Sequence, residues 1–264
     1  MIAFISDRDG NREIYVMRAD GSNQRRLTNT LEEEGYPAWS PGGSQIAFTF
    51  HSGRDWDLGI MSADGTGALS LVASPGNDIE CAWSPDGQSI AFSSQRDGDL
   101  EICVMRLQDG LITQLTNNFG IIDEFPTWSP DGEFIAFTTD RDGDWEIYVM
   151  RSDGTEPMRL TSSPSDDFWP AWSPEGSRIA FVSDRAGNPE IYVMSCDGGD
   201  VQRLTHNLSI DYMPSWSPDG TRIAFTSTRI GNADIYVMDV DGGNVIRLTT
   251  SPAADTSPAW SPQR

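Results

Sequence analysis

Carboxylates dominate the chemistry open to this sequence. It holds 40 Asp and Glu against 18 Arg, no Lys and 2 His, for a formal charge of −22 over 264 residues. Two stretches set oxygen donors at alternate positions: Asp7-x-Asp9-x-Asn11-x-Glu13 and Asp140-x-Asp142-x-Asp144-x-Glu146. Hard cations take oxygen donors in such a run, as at the start of an EF-hand loop. Related stretches break the pattern, with Gln95 and Thr228 at the first acid and Ala186 and Ile230 at the second. The distal bidentate Glu of a complete loop is missing. A tight Asp-Gly hairpin explains the same letters without a metal. The reading is therefore no cofactor, with calcium at these turns as the alternative.

A second set of acids recurs five residues before a repeated Trp: Glu34, Asp78, Asp123, Asp167, Asp211 and Asp255. Six carboxylates around one axis repel strongly unless paired. Arg8, Arg96, Arg141, Arg185 and Arg229 recur at the end of one strand, and Arg54 is displaced by two. Bidentate Arg–carboxylate pairs that stitch the repeats together are one reading. An acidic funnel that draws in a cation or a basic peptide is the other. Catalysis has little support. His51 and His206 lie on different repeats and form no dyad with Ser or Cys in sequence. No Gly-x-Ser-x-Gly elbow occurs, and every connection is short, so no lid excludes water. The expectation is a non-enzyme, although a glycosidase-like or lyase-like carboxylate pair stays open among so many acids. Cys81, Cys103 and Cys196 are widely spaced, with no CxxC, and suggest free thiols.

The elements that position these residues follow from a repeat. Trp-Ser-Pro recurs with its Trp at 39, 83, 128, 172, 216 and 260, and Ile-Ala-Phe with its Ile at 2, 46, 90, 135, 179 and 223. A period of 44 residues, once 45, fits four-stranded propeller blades. Each repeat reads as four short strands. The first ends in Trp-Ser and the second is Ile-Ala-Phe. The third is Glu-Ile-Tyr-Val-Met, and the fourth ends in Arg-Leu-Thr. Asp-Gly turns between β-rich runs are strong hairpin signals. The chain starts in a second strand and ends with a first strand, Pro258-Ala259-Trp260-Ser261-Pro262. These halves make one blade. The fold class is thus all-β: a six-bladed propeller of four antiparallel strands per blade, closed by pairing the C-terminal strand with the N-terminal strands. Residues 1–264 form a single domain. Blade 1 comprises 2–28 with 255–262, and blade 2 comprises 34–72. Blades 3 to 6 comprise 78–116, 123–161, 167–205 and 211–249. The six repeated tryptophans are expected between neighbouring blades.

The pattern Asp-x-x-Pro-x-Trp-Ser-Pro-Asp-Gly-x-x-Ile-Ala-Phe, followed by Arg-x-Gly, Ile-Tyr, Asp-Gly and Leu-Thr, resembles the TolB-like β-propeller repeat, which is also similar to propellers preceding prolyl-oligopeptidase-like catalytic domains. The likeness runs six times along the chain. It implies a propeller and a binding role, and such relatives are often periplasmic or extracytoplasmic. The sequence itself assigns no compartment. Met1 runs directly into strand-like Ile2-Ala3-Phe4, without a basic region or cleavage site.

A binding site is expected where the loops from fourth to first strands lie with the turns from second to third strands. The one inserted residue falls in such a loop, Asn117 to Ile122, which is unusually apolar and includes Ile121 and Ile122. Trp56, Trp145 and Trp169 lie outside the repeat pattern and on this face. Three residues before each repeat Trp stand Tyr36, Glu80, Phe125, Trp169, Met213 and Ser257, with Phe168 and Tyr212 one position earlier. These differing side chains suit a specific pocket, or else a plug of the channel. The leading reading is a protein- or peptide-binding scaffold using Tyr36, Trp56, Phe125, Trp145, Trp169, Tyr212, Ile121 and Ile122. Its partner would be basic or amphipathic. An acidic, Lys-free surface repels nucleic acid, and no apolar run approaches the ~18 residues of a membrane span. A monomeric domain is expected. A carbohydrate- or small-molecule-binding propeller and a structural module of a larger protein are the alternatives.

Overall fold

Twenty-four strands form six four-stranded antiparallel sheets arranged as blades, in a computed structural model that describes residues 1–262. Blade 1 orders β24 (Asp255–Trp260), β1 (Ile2–Ser6), β2 (Glu13–Met17) and β3 (Arg25–Arg26). Blade 2 holds β4 (Glu34–Trp39), β5 (Gln45–His51), β6 (Trp56–Ser62) and β7 (Leu69–Val72). Blade 3 holds β8 (Asp78–Trp83), β9 (Ser89–Ser94), β10 (Glu101–Arg106) and β11 (Ile112–Gln114). Blade 4 holds β12 (Asp123–Trp128), β13 (Phe134–Thr139), β14 (Glu146–Arg151) and β15 (Met158–Arg159). Blade 5 holds β16 (Asp167–Trp172), β17 (Arg178–Ser183), β18 (Glu190–Ser195) and β19 (Gln202–Arg203). Blade 6 holds β20 (Asp211–Trp216), β21 (Arg222–Ser227), β22 (Asp234–Asp239) and β23 (Ile246–Arg247). The expected closure is present: β24 pairs antiparallel with β1, with Ile2 opposite Trp260 and Ser6 opposite Asp255.

The second and third strands of a blade are buried along most of their length because both faces meet other blades. Ile2, Phe4, Tyr15 and Met17 share a core with Ala224, Ile235, Val237 and Leu248 of blade 6. Their neighbours Ile5 and Ile14 turn the opposite way, onto Ile46, Phe48 and Met61 of blade 2. The period-2 pattern of a strand therefore reads as a continuous apolar run when each face has its own partner. The Asp-Gly turns are needed for the same close contact. Gly21 has φ +83°, and a Cβ there would meet Leu248 O of blade 6 at 2.7 Å.

The repeat tryptophans hold the inner strands together. Trp39, Trp83 and Trp216 donate their indole N–H to Ala259 O (3.2 Å), Ala38 O (3.2 Å) and Ala171 O (3.0 Å) of the preceding blade. Each loop from an outer to an inner strand lies on one end of the propeller with the turns between second and third strands. This end is the loop face. The Pro-x-Gly and Asp-Gly turns lie on the other end, the turn face.

The ring is clamped shut at its seam. Arg8 Nη2 bonds both Asp255 oxygens at 2.9 Å, joining residues 247 apart in sequence. Asp255 is fully buried, so removing its partner strands a carboxylate. Arg8→Met is expected to cost about 3–5 kcal/mol in urea unfolding, and Arg8→Met/Asp255→Asn to recover much of it. Equal stability of the wild type and Arg8→Met would show that the clamp does not hold the seam.

Candidate functional site

The innermost strand of every blade carries a bulge. In blades 2 to 6 its register with the second strand shifts between the residues four and one before the repeat Trp, such as Gly35 and Ala38. The residue three before the Trp takes left-handed backbone in all six blades, from φ 44° at Tyr36 to φ 61° at Glu80. None is glycine, and aromatic residues seldom adopt this conformation. The bulge turns the side chain into the central channel. It also frees the backbone N–H to reach the preceding blade. Phe125 N donates to Ser93 Oγ, Trp169 N to Thr138 Oγ1 and Ser257 N to Thr226 Oγ1, each at 3.2 Å.

These side chains meet across the channel. Phe125 packs edge-on against Tyr36 (6.0 Å between ring centres) and Trp169 (5.5 Å), and Trp169 lies 5.4 Å from Tyr212. Ser257 Oγ contacts Met213 Sδ at 3.2 Å. The result is a septum part-way along the channel, deeper than a mouth. On its loop-face side is a cavity of about 420 Å³, lined by Arg12, Tyr36, Trp56, Ile79 and Tyr212 among others. On its turn-face side is one of about 360 Å³, lined by Glu80, Cys81, Phe125 and Trp169 among others.

The structure thus brings Tyr36, Phe125, Trp169 and Tyr212 together, with Trp56 nearby at the loop-face cavity. Trp56 stacks edge-on with His51 at 5.5 Å. Trp145 stands apart, its backbone N–H donating to Asp166 Oδ1 at 3.1 Å. Ile121 and Ile122 are half-buried, and their loop instead points Phe119 outward, 99% exposed. Two further side chains escaped the sequence reading: Leu31 and Leu208 are 98% and 100% exposed. All three sit at the tips of loops into inner strands. Around the ring these tips read Leu31, Pro75, Phe119, Pro164, Leu208 and Pro252, so large apolar side chains alternate with prolines. That alternation was visible in the sequence; the exposure was not.

The acidic ring is buried and mostly paired, but the pairs lie within blades rather than between them. Arg8, Arg96, Arg141, Arg185 and Arg229 pair with Asp255, Asp78, Asp123, Asp167 and Asp211 of their own blades. Each clamps the innermost strand to the turn after the second. Among the described residues Arg54 forms no such pair, and Glu34 instead accepts from the hydroxyls of Thr28 (3.2 Å) and Thr30 (2.6 Å) and lies beside Glu13. The cause is a missing platform. Arg8, Arg141, Arg185 and Arg229 each lie over a Phe and a Tyr of their blade. Cys103 replaces that Tyr in blade 3, where Arg96 lies over Phe92 alone and reaches Asp78 only at 3.4 Å. Gly59 replaces it in blade 2, and the space is filled by Phe48.

A second buried acid stands at the start of each third strand, as its first residue or, in β6, its second. Glu13, Glu146, Glu190 and Asp234 pair with Arg26, Arg159, Arg203 and Arg247, whereas Asp57 and Glu101 have no arginine among the described residues. Two acids of adjacent blades meet at each junction. The junctions of blades 4/5, 5/6 and 6/1 hold two arginines each. Those of blades 1/2, 2/3 and 3/4 hold one each.

The alternating oxygen donors are dispersed by these same networks. Tyr15 and Tyr148 hydroxyls donate to Asp9 and Asp142, which also face Arg26 and Arg159. Asp7 and Asp140 accept the N–H groups of Ala254 and Ile122 at 2.9 and 2.8 Å. Asn11 donates to Glu32 O, Glu13 and Glu146 are buried in ion pairs, and Asp144 stands exposed. Among the described residues no three His, Cys, Asp or Glu side chains group to hold a metal ion.

The family model described as the TolB beta propeller domain matches residues 32–118, 66–168, 114–211 and 160–264. The Tol-Pal system protein TolB of Desulfosudis oleivorans is 46% identical over 48 residues, 18% of this chain and 11% of that protein. The crystal structure of TolB from Acinetobacter baumannii superposes with a TM-score of 0.90 at 26% identity, covering 99% of this chain and 66% of that one. A putative TolB from Agrobacterium tumefaciens gives 0.79 at 26% identity, covering 98% and 93%. The chain thus spans two thirds or less of the first relative and the first structure. An oligogalacturonate lyase at 14% identity and TM-score 0.65 shares the fold alone.

Glu34 makes the uncompensated junctions testable. Burial pushes its carboxyl from the ordinary 4.5 up to about 8; the Thr30 hydroxyl pulls against this and the adjacent Glu13 carboxylate adds to it. A proton on Glu34 also supplies the donor that buried Glu13 Oε2 lacks. The folded chain therefore holds a proton that the unfolded chain releases above pH 4.5. The stability this gives is full below that pH and is lost as pH rises towards 8. Glu34→Gln mimics the protonated form. Its melting temperature should match the wild type near pH 5 and exceed it near pH 9, by roughly 2–4 °C per kcal/mol. An offset that is the same at both pH values would mean that Glu34 carries no such proton.

Proposed function

The chain belongs to the TolB beta-propeller family, and from that premise we propose that it is a non-catalytic scaffold that binds a protein or peptide through its loop face. The observation that carries this reading is the trio of exposed tips, Leu31, Phe119 and Leu208. Large apolar side chains left almost wholly in water, at every second blade of one face, suit burial against a partner. Each contributes about 1.5–3 kcal/mol when covered. Ile210 (46% exposed) and Ile230 (61%) extend the apolar area beside Leu208.

The loop-face cavity adds aromatic anchors at the centre, Tyr36, Trp56 and Tyr212, inside this apolar rim. Charge selects the partner. Five of the loop-face arginines are engaged in the internal clamps. Glu32, Glu33, Asp97 and Asp142 remain exposed among the loops. A partner with apolar residues set among Lys and Arg fits that surface, and electrostatic attraction would speed its approach. One relative is named for the Tol-Pal system, and a role in a multi-protein system of that kind accords with a binding face.

The tips are exposed enough to change without disturbing the fold. Leu31→Ser/Phe119→Ser/Leu208→Ser should melt like the wild type but lose a partner that the wild type captures from an extract of its source organism. Leu111→Ser, on the turn face, should keep it. The loss of even ~1.5 kcal/mol corresponds to about a tenfold weaker complex. A partner held equally by the triple variant would place the binding surface elsewhere.

A further inference from the structure

We infer that the turn-face half of the channel is a binding site for a small organic ammonium ion, quaternary or tertiary, held between the aromatic septum and the carboxylate of Glu80. This site lies across the septum from the loop face and does not depend on what binds there.

The cavity of about 360 Å³ is lined mainly by prolines and aromatic side chains, with the hydroxyls of Thr127, Ser215, Ser217 and Ser257 between them. Five blades contribute a proline to it, from Pro37 to Pro258, and Cys81 stands in the sixth place. Among the described residues Glu80 is the only carboxylate in the lining, and no basic side chain lines it. Glu80 is 6% exposed. Its Oε2 accepts from Ser93 Oγ at 2.8 Å and Phe125 N at 3.0 Å, which fixes its orientation. Both bonds to its carboxylate among the described residues reach Oε2. Among the described residues no arginine pairs with it, unlike most of the buried acids at the blade junctions. A buried acid without a cation is costly unless it is neutralised. Among the described residues no cation lines this cavity, and a ligand can supply one.

The surroundings choose the kind of cation. Phe125, Tyr36 and Trp169 present aromatic surface beside Glu80, and aromatic faces attract desolvated cations. A metal ion needs several oxygen ligands, whereas this cavity offers one carboxylate. A guanidinium carries five N–H donors, most of which would face proline and aromatic carbon. A quaternary or tertiary ammonium has none or one, so it loses little on entering.

The charge state of Glu80 gives the site a pH signature. Burial, then the charge of nearby Glu124, raises the Glu80 carboxyl from 4.5 to about 8. Burial, then Asp140, raises Glu124 to about 7. Tyr36 and Cys81 are raised by burial too, and both stay neutral. Tyr212 and Arg12 lie on the loop-face side. A cation binds the ionised carboxylate, so ligation should release a proton near neutral pH and tighten as pH rises.

Calorimetric titration of the whole chain with choline and with tetramethylammonium tests this. Saturable one-to-one binding is expected, about tenfold tighter at pH 9 than at pH 7. Glu80→Gln keeps the acceptor for Ser93 and Phe125 but removes the charge. It should weaken binding at pH 9 by about tenfold or more and flatten the pH dependence. Phe125→Leu keeps bulk without an aromatic face and should also weaken binding. The loop-tip triple variant should bind like the wild type. The neutral choline isostere 3,3-dimethylbutanol and guanidinium should bind far more weakly. Absence of saturable binding by both ammonium probes would overturn the inference. So would unchanged binding by Glu80→Gln, or equal binding of the neutral isostere or of guanidinium. A trimethyllysine peptide separates two sources of the same group. Tighter binding than tetramethylammonium supports the site with a protein side chain as ligand, and weaker binding supports it with a free small molecule.

Discussion

Each blade brings two carboxylates into the interior, one at the start of its innermost strand and one at the start of its third. A closed ring sets these acids side by side at every junction, where unpaired like charges would drive the blades apart. Arginine answers most of this, and only arginine could. Its Nη2 bonds both oxygens of Asp255 or Asp167 and its Nε the hydroxyl of Ser6 or Ser183, while its flat face lies over a Phe and a Tyr of the same blade. Lysine has neither the fork nor the face, and the sequence contains none.

The clamp is therefore a three-part device, and it fails in an ordered way. The Tyr supplies a platform, the platform aims the guanidinium, and the guanidinium neutralises the acid. Blade 3 replaces the Tyr with Cys103 and keeps a lengthened contact; blade 2 replaces it with Gly59 and has none. The acids left without arginine, Glu34, Asp57 and Glu101, fall on consecutive junctions. The ring is thus divided into a charge-balanced arc and an acid-rich arc, and the latter relies on protons, hydroxyls and backbone N–H groups. Glu80 and Cys81, the departures that shape the turn-face cavity, belong to the same arc.

How far the sequence could be read follows from which signals are local. The sixfold repeat, the turns and the β24–β1 closure depend on short motifs and were plain. The pairing of Arg8 with Asp255 was also legible, because both recur at fixed positions. Arg54 was misread because letters alone suggest an arginine slightly displaced, while the missing partner is a tyrosine five residues away, at Gly59. The direction of the pairs was misread too, since sequence does not say whether an acid and an arginine share a blade. The left-handed bulge was invisible. Tyr, Phe and Trp are unusual choices there, and no local propensity predicts them. The loop tips were half legible: their alternation with proline is in the letters, but exposure is a property of the assembled ring.

The bulge explains how one repeat supports two different surfaces. Strain at a recurring position persists only where the surroundings fix it, and here the freed N–H groups of Phe125, Trp169 and Ser257 are bonded into the preceding blade. The backbone is thereby constrained while the side chain, aimed at empty space, is not. That position alone can hold Tyr, Glu, Phe, Trp, Met and Ser in turn without altering the blades. Because the large side chains interlock, the channel is partitioned rather than open. Arg12 and two tyrosines face one compartment, and a buried glutamate and a thiol face the other. Two chemically opposite sites are separated by the thickness of a single ring of side chains. A change at Glu80 or Arg12 alters one compartment and spares the other, whereas a change at Tyr36, whose side chain lines both, must be felt on each side.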